Sequence, residues 1–358
     1  MKILNAYLLK ELLKIILICV IIFSTIYIII DFVQKIERLI DAGIDNITIL
    51  KYFIFKMPFV LVQMVPPATL IAIIILMSVM KKKNEIIALK ACGIDVFSLN
   101  FILIFYGFLL AGFVFLVGEY VVPYANAKSN DIWIYDVESR EKNRFYGSDQ
   151  IWYRAKNRIY WIKHYDYYNK TLLRPSFYFF DDDFRVIKKI DGNKGQWEKD
   201  QWVLQDGIIQ FMDENGEYKF ERFDEYVLDI PETPETFVKE KKSSEELSFL
   251  KMKEFANQMQ EEGYDNTRYL VDMHIKIAYP VIIVIMIMIG TAVPLMQRQT
   301  RIPLSVMAGI LISFLYMVAL GFSRSLGLSG VVPPFLAAWF ANFLFLLVGA
   351  YLMSCVDR

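Results

Sequence analysis

The sequence predicts an α-helical integral membrane protein of six transmembrane helices, with one all-β domain inserted between the third and fourth. Three observations carry this. Hydrophobic residues make up 56% and charged residues only 22% of the 358, a balance too apolar for an ordinary soluble chain. Runs without charge, near the roughly 20 residues needed to cross the hydrocarbon, recur along the chain. Between the third and fourth of them the pattern changes to short aromatic and β-branched stretches separated by turn residues.

Five spans are clear: Met57–Met80, Val96–Gly118, Ile277–Gln297, Ile302–Ser323 and Ser325–Val356. A further one, Ile15–Ile30, is extended by Leu12 and Leu13, with the Lys14 stem free to snorkel to the interface. Charges crowd at segment ends because a buried Lys, Arg or Asp costs about 2.5–3.5 kcal/mol on insertion scales. Lys2, Lys10 and Lys14 ahead of the first run look like the start of a signal peptide. The following Asp31-Phe32-Val33-Gln34 offers no small-x-small cleavage site, so the run is expected to stay as helix one.

Positive charge sets orientation. Lys2, Lys10, Lys14, Lys81, Lys82, Lys83, Lys90, Arg298 and Arg301 mark the cytoplasmic side, which then also holds both termini. The opposite loops carry mixed charge (Asp31, Lys35, Glu37, Arg38, Asp41, Asp45) or almost none, as around Arg324. The region from about Glu119 to Lys276 is expected outside, which in a double-membrane bacterium is the periplasm. The formal net charge is zero and no basic tail is present, so no nucleic-acid partner is expected. Cys19, Cys92 and Cys355 all fall in or beside membrane segments, leaving the insertion without disulfides or zinc spacing.

The expected organisation is helices one to three in residues 1–123, with a short cytoplasmic helix at 84–93, then a β domain at 124–240. A helical connector follows at 241–276, and helices four to six occupy 277–358. In the insertion, Ile151-Trp152-Tyr153 precedes Lys156-Asn157, Phe177–Phe180 precedes the Asp181–Asp183 turn, and Asn215-Gly216 signals a hairpin. A sandwich, a jelly roll and an open barrel all fit. Ser243 and Glu246 are spaced as a capping box, and Gly263 stops the helix they begin. A second helix starts near Asp265 and runs into helix four, with Arg268, Asp272 and Lys276 as a four-residue stripe that reads as a salt-bridged collar.

No catalytic residue, metal or cofactor is expected. Gly192-Asn193-Lys194-Gly195 lacks P-loop spacing, so the chain should not hydrolyse ATP alone and is not read as an enzyme. His164 and His274 have no ligand partner at metal spacing. The aspartate run reads as a solvated turn rather than a calcium loop. Two features remain. In Lys81–Asp95, Asn84 can cap a short helix with Glu85 at its positive dipole end, Gly93 can close it, and Asp95 can cap helix three. Ile86, Ile87 and Leu89 on that helix suit a groove on a soluble partner, or else a lipid surface. The second feature is prolines within apolar runs, at Pro66, Pro67, Pro280, Pro294, Pro333 and Pro334, which free carbonyls and kink helices.

Nearly the whole chain resembles the LptF/LptG family of lipopolysaccharide export permeases. The resemblance rests on Tyr52–Pro67 with Ala68, on Asn84-Glu85-Ile86-Ile87-Ala88-Leu89-Lys90-Ala91-Cys92-Gly93-Ile94, on Asp272–Pro280, and on Pro333–Asn342. It implies a jelly-roll-like periplasmic domain and a heterodimer with a paralogous permease, seated on a dimer of cytoplasmic ABC ATPases in the inner membrane. It also implies transfer of lipopolysaccharide to periplasmic LptC/LptA-like jelly-roll proteins. Glu85, Ile86, Leu89 and Lys90 correspond to the coupling helix. Helices one and five form the lateral gate, which makes Phe32, Lys35, Arg38 and Ser313 the expected lipid-binding residues. Ile30–Gln34 and Asp41-Ala42-Gly43 look more like the LptG branch, although Asp31 stands where some members carry a phosphate-facing lysine. The alternative is a mechanotransmission permease, which moves a periplasmic domain without transporting lipid.

Overall fold

The computed structural model describes residues 2–137, 149–155, 157–166, 169–181, 184–212, 217–234, 243–261, 265–297 and 301–356. Lys156, Asp182, Asp183, Asn215, Gly216, Gly263 and Arg298, used in the sequence reading, lie outside the described residues. Two units are present: Met1–Glu138 with Ser244–Ala256 and Asn266–Arg358, and Ser139–Ser243 with Asn257–Asp265.

The first unit contains α1 (Lys2–Asp41), α2 (Asn46–Lys82), α3 (Glu85–Ala91), α4 (Val96–Tyr120), α5 (Val122–Asp131), α7 (Thr267–Met296), α8 (Ile302–Leu328) and α9 (Pro334–Ser354), and α6 (Phe249–Glu261) begins in it. Among the described residues six helices, α1, α2, α4, α7, α8 and α9, are long and apolar enough to cross a membrane. That is the expected set, with different ends. Residues read as a loop after Ile30 are helical to Asp41, and α2 begins at Asn46, well before Met57. These extensions hold because Leu39 and Tyr52 are buried, so tertiary packing continues past the apolar core of each span. Past Tyr120 the chain also stays helical, through α5 and a π-helical turn at Ile132–Val137. The fifth span does not stop at Ser323. It carries Arg324 inside helix as far as Leu328, and the sixth starts at Pro334 rather than Ser325. Gly330, at φ +74°, makes the intervening turn, and Pro334 opens α9 where a missing N–H costs nothing.

Burial on α1 follows a helical stripe, with Leu8, Leu12, Ile16 and Cys19 packed inward, as an amphipathic period requires. The centre of the bundle is α7, which packs on α2, α4, α8 and α9. Its Ile282, Ile283, Ile287 and Ile289 are fully enclosed. Helix α2 continues through Pro58, Pro66 and Pro67. Pro67 has no N–H, so the carbonyl of Gln63 loses its partner within the helix. The Tyr279 hydroxyl of α7 donates to that carbonyl at 2.6 Å. Further polar side chains of the bundle are paired across helices. Asn342 donates to the Ala278 carbonyl at 2.6 Å and accepts from the Tyr316 hydroxyl at 3.0 Å, and Thr291 donates to Asn100 at 2.9 Å.

The second unit is an antiparallel sheet of β1 (Asp149–Ala155), β2 (Arg158–Asp166), β3 (Thr171–Phe180), β4 (Val186–Glu198), β5 (Gln201–Met212) and β6 (Tyr218–Leu228), each strand pairing with its neighbours in sequence. The inserted all-β domain is therefore present as a meander, whereas a jelly roll would need crossing connections; none is among the described strands. Short turns favour neighbour pairing. Between β4 and β5, Glu198 faces Gln201, and the two turn residues Lys199 and Asp200 have φ of +49° and +63°, the signature of a type I′ hairpin. One face of the sheet buries Tyr160, Ile162, Phe177, Trp202 and Leu204. Glu232 ties the chain after β6 to that core: it accepts from the Tyr160 hydroxyl and, through its carbonyl, from the Trp202 indole, each at 2.9 Å. Burial, with Glu232 beside it, pushes the Tyr160 phenol above its ordinary pKa.

After Ser243 the α-helix starts later than the capping-box spacing implies, at Phe249, behind a 3-10 turn at Ser244–Glu246. Glu246 accepts from Asn130 at 2.5 Å, and it is Ser248, beside the start of α6, whose hydroxyl accepts the Lys251 N–H at 3.4 Å. Helix α7 does run unbroken from Thr267 through the membrane segment, as the pattern beginning near Asp265 predicts.

Candidate functional site

Three constellations in the helical unit carry charge into places where an apolar bundle does not ordinarily tolerate it. The first joins α1 and α2 where the chain turns between them. Asp31 pairs with Lys35 at 3.0 Å and with Lys56 at 2.9 Å. Lys35 also donates to the Tyr52 hydroxyl at 2.5 Å, and its ammonium lies over the Trp133 ring at 4.9 Å. Two ammonium groups thus share one carboxylate, and the surplus is positive. Phe32 stands beside this cluster, packed on Phe53 at 5.6 Å and 39% exposed. Arg38, in the last turn of α1, is exposed and sits where a cation favours the helix dipole. Ser313 is elsewhere. It lies on α8, which packs on α2, α7 and α9, and its hydroxyl is buried without a hydrogen-bond partner among the described residues. Lys56, Tyr52 and Trp133 escaped the sequence reading as members of this cluster. The one available signal was Lys56 itself, a charge set next to the apolar run that starts at Met57.

The second constellation surrounds α3. Asn84 does not cap this helix through its side chain. It adopts φ +61°, a left-handed turn, because Lys83 and Asn84 already bond back to Val79 and Lys81 and close α2. Asp95 does cap α4, accepting the Ser98 N–H at 2.8 Å, and Gly93 turns at φ +81°. Glu85 opens α3 and accepts from the Tyr7 hydroxyl of α1 at 3.2 Å. Of the apolar residues expected outward, Ile86 is buried and Leu89 packs on the bundle core. Ile87 alone of the three is mostly exposed, at 65%, because a seven-residue helix must turn one face to the protein. Lys90 is exposed. One turn before α3, Lys81 donates to three carbonyls at the end of α7: Pro294 at 3.0 Å, Leu295 at 3.1 Å and Gln297 at 2.5 Å.

The third lies at the opposite end of α7. The expected collar of Arg268, Asp272 and Lys276 is not internal to one helix. Asp272 pairs with Arg324 of α8 at 2.8 Å, and Lys276 pairs with Glu119 of α4 at 3.8 Å and donates to the Leu247 carbonyl. Glu119 also accepts the Phe249 N–H at 2.7 Å. With Asn126 donating to the Glu245 carbonyl at 3.2 Å, these bonds strap residues 245–249 to the bundle. A cavity of about 290 Å³ opens beside them. Arg324 was legible in principle, since an arginine next to an apolar run needs an acidic partner. Among the described residues no three His, Cys, Asp or Glu side chains are placed to hold a metal ion.

A bundle of six membrane-length helices, a separate antiparallel sheet between its third and fourth, and a short amphipathic helix between its second and third limit the families this chain can join. The family model for the lipopolysaccharide export system permease LptF/LptG matches residues 6–354. No curated protein matches the chain. The match takes in both units and every constellation above, and the chain therefore belongs to the LptF/LptG family of lipopolysaccharide export permeases.

Proposed function

We propose that this export permease works as one of two paired permeases on a cytoplasmic dimer of ABC ATPases. In this reading it draws lipopolysaccharide sideways from the inner membrane and hands it to periplasmic LptC/LptA-like jelly-roll proteins. The observation that carries the reading is a pair of bare apolar helix faces with a cationic cluster beside one of them. On α1, Leu17, Ile21, Ile29 and Val33 are more than half exposed, as are Met307, Leu311, Phe314 and Phe322 on α8. Apolar faces this large mark lipid or another subunit. A lipid with several acyl chains gains about 0.8 kcal/mol for each CH₂ kept from water, so it enters between helices rather than through a polar pore. The path runs between α1 of one permease and α8 of the other. Lys35 and Lys56, the surplus cations by Asp31, meet the lipid phosphates with charge-assisted bonds, and Arg38 extends the cationic end.

The α3 helix is the ATPase contact, presenting Glu85, the exposed Ile87 and Lys90 while Ile86 and Leu89 anchor it. Lysines 81–83 and 90 put this end, with both termini, in the cytoplasm, and the sheet then faces the periplasm. Ile30–Gln34 and Asp41-Ala42-Gly43 favour the LptG branch. Photocrosslinkers at Phe32, Lys35 and Ser313 in the assembled complex are expected to capture lipopolysaccharide. Capture no stronger than at Phe343, an exposed residue of α9, would sink the proposed path.

A further inference from the structure

Asp31 and Lys35 stand one turn apart on α1, and Tyr52 and Lys56 one turn apart on α2, a spacing that stacks each pair on one helix face and brings all four together. Within this cluster the donors are engaged. Lys56 donates to both oxygens of Asp31, at 3.0 and 2.9 Å, and to the Tyr52 hydroxyl at 3.3 Å, which accounts for the three N–H groups of an ammonium. Lys35 pairs with Asp31 at 3.0 Å and donates to Tyr52 at 2.5 Å. Its ammonium is held over the rings of Tyr52 at 5.1 Å and Trp133 at 4.9 Å. The side chains are little exposed, 22% for Lys35, 16% for Lys56 and 13% for Asp31, so water screens them poorly. An arriving phosphate finds two cations whose N–H groups already have acceptors.

Charge decides how phosphate enters. A phosphate monoester carries about −1.5 to −2 at pH 7 and bonds lysines as a carboxylate does. Were it added with Asp31 in place, two cations would face about three negative charges a few ångströms apart, where like charges repel strongly. Were it to take the place of Asp31, the charges would balance and the freed donors would find acceptors at once. Exchange is therefore favoured over addition. We propose that Asp31 is the protein's own occupant of a two-lysine phosphate site. It holds Lys35 and Lys56 when no lipid is present, yields them to an arriving phosphate and retakes them when the lipid moves on. The inference rests on the lipid path proposed above and adds to it the residue that sets how tightly, and for how long, phosphate is held. A built-in competitor weakens binding, which suits a carrier that must release its cargo.

The test measures binding and dissociation of fluorescent lipopolysaccharide, with its phosphates intact or removed by phosphatase, on the full-length permease with its partner subunits in nanodiscs. Asp31→Asn, which keeps the shape and removes the charge, should raise affinity for the intact form about tenfold, mainly through slower dissociation, and leave the dephosphorylated form unchanged. Asp31→Glu, which keeps a carboxylate, should bind as the unaltered protein does; binding like that of Asp31→Asn would overturn the proposal. Tyr52→Phe frees a donor on each lysine and leaves both ion pairs. Should Asp31→Asn not assemble, this variant decides, with a selective gain for the intact form expected and no gain overturning. Lys35→Met combined with Lys56→Met should lower affinity for the intact form. If that double variant loses nothing, the phosphate site itself is wrong and the inference falls with it. If it loses affinity while assembled Asp31→Asn gains none, or gains equally for both forms, the inference alone falls.

Discussion

At the scale of single residues, the bundle shows how far a buried charge depends on a partner distant in sequence. The Asp272 side chain is 9% exposed and that of Arg324 42%, so the pair is neither a surface bridge nor a sealed one. Arg324→Met should therefore lower stability by about 1.5–3 kcal/mol, the range for a charge-assisted hydrogen bond. Adding Asp272→Leu should recover much of the loss, since replacing both partners removes the stranded carboxylate. Thermal unfolding of the purified single and double variants checks this, and a double variant less stable than Arg324→Met would contradict it. In the sheet, the Tyr160 phenol has its pKa raised by burial, with Glu232 adding to the shift. Below the ordinary tyrosine value of about 10 the phenol is protonated in both folded and unfolded chains and the shift has no effect. Above it the unfolded chain releases a proton that the folded chain retains, so stability should fall as pH rises past that value. Tyr160→Phe should flatten the decline in chemical denaturation of the whole chain between neutral and strongly alkaline pH.

Among elements, the β4–β5 turn is the place where local chemistry and backbone disagree. Lys199 and Asp200 both occupy left-handed conformations that suit Asn-Gly better. Asp200→Gly should raise stability by up to about 1 kcal/mol, read as a higher denaturation midpoint with unchanged slope; a lower midpoint would refute the turn assignment. The α2–α8 contact works in the opposite sense. A Cβ on Gly309 would come within 2.6 Å of Ile74 and 2.7 Å of Ile71, so Gly309→Leu should part these helices and reduce assembly. At Gly321 a Cβ meets nothing within 4 Å, and Gly321→Ala should be neutral by the same assay. In the sequence Gly309 and Gly321 look alike, two small residues of one apolar run. Only the packing separates them, because sequence spacing alone does not say which face of α8 turns toward α2.

For the whole molecule, what the sequence made legible follows from the solvent of each part. The hydrocarbon imposes a minimum apolar length, so all six spans could be read directly. Their ends could not, because Leu39 and Tyr52 hold helix by tertiary burial outside the apolar runs. Strand runs were visible as aromatic clusters, whereas the order of pairing, a property of the folded sheet, was not. The charged constellations were hardest of all: Lys276 meets Glu119 and Arg324 meets Asp272 across long stretches of chain, and no local pattern encodes such meetings. The proposed ATPase contact yields a prediction at this scale. Glu85→Ala should leave insertion intact while weakening docking or uncoupling hydrolysis from export, by the ~1.5–3 kcal/mol of a charged hydrogen bond. Unchanged complex assembly together with unchanged lipid release would defeat it.

Lys81 gives that contact a mechanical outlet. An ammonium has three N–H donors, and here one carbonyl each from Pro294, Leu295 and Gln297 receives them, so the foot of α7 is pinned to the end of α2, next to α3. A helix of 30 residues is about 45 Å long at ~1.5 Å per residue. Tilting such a rod by about 5° at its foot swings the far end through roughly 4 Å, enough to shear the Lys276 and Asp272 bonds there. Lys81→Met should accordingly leave ATP hydrolysis running while export falls; equal loss of both would show that the pin matters only for folding. In the reading proposed above, a small rotation delivered to the seven residues of α3 becomes, through this pin, a stroke at the other membrane face, with α7 as its lever.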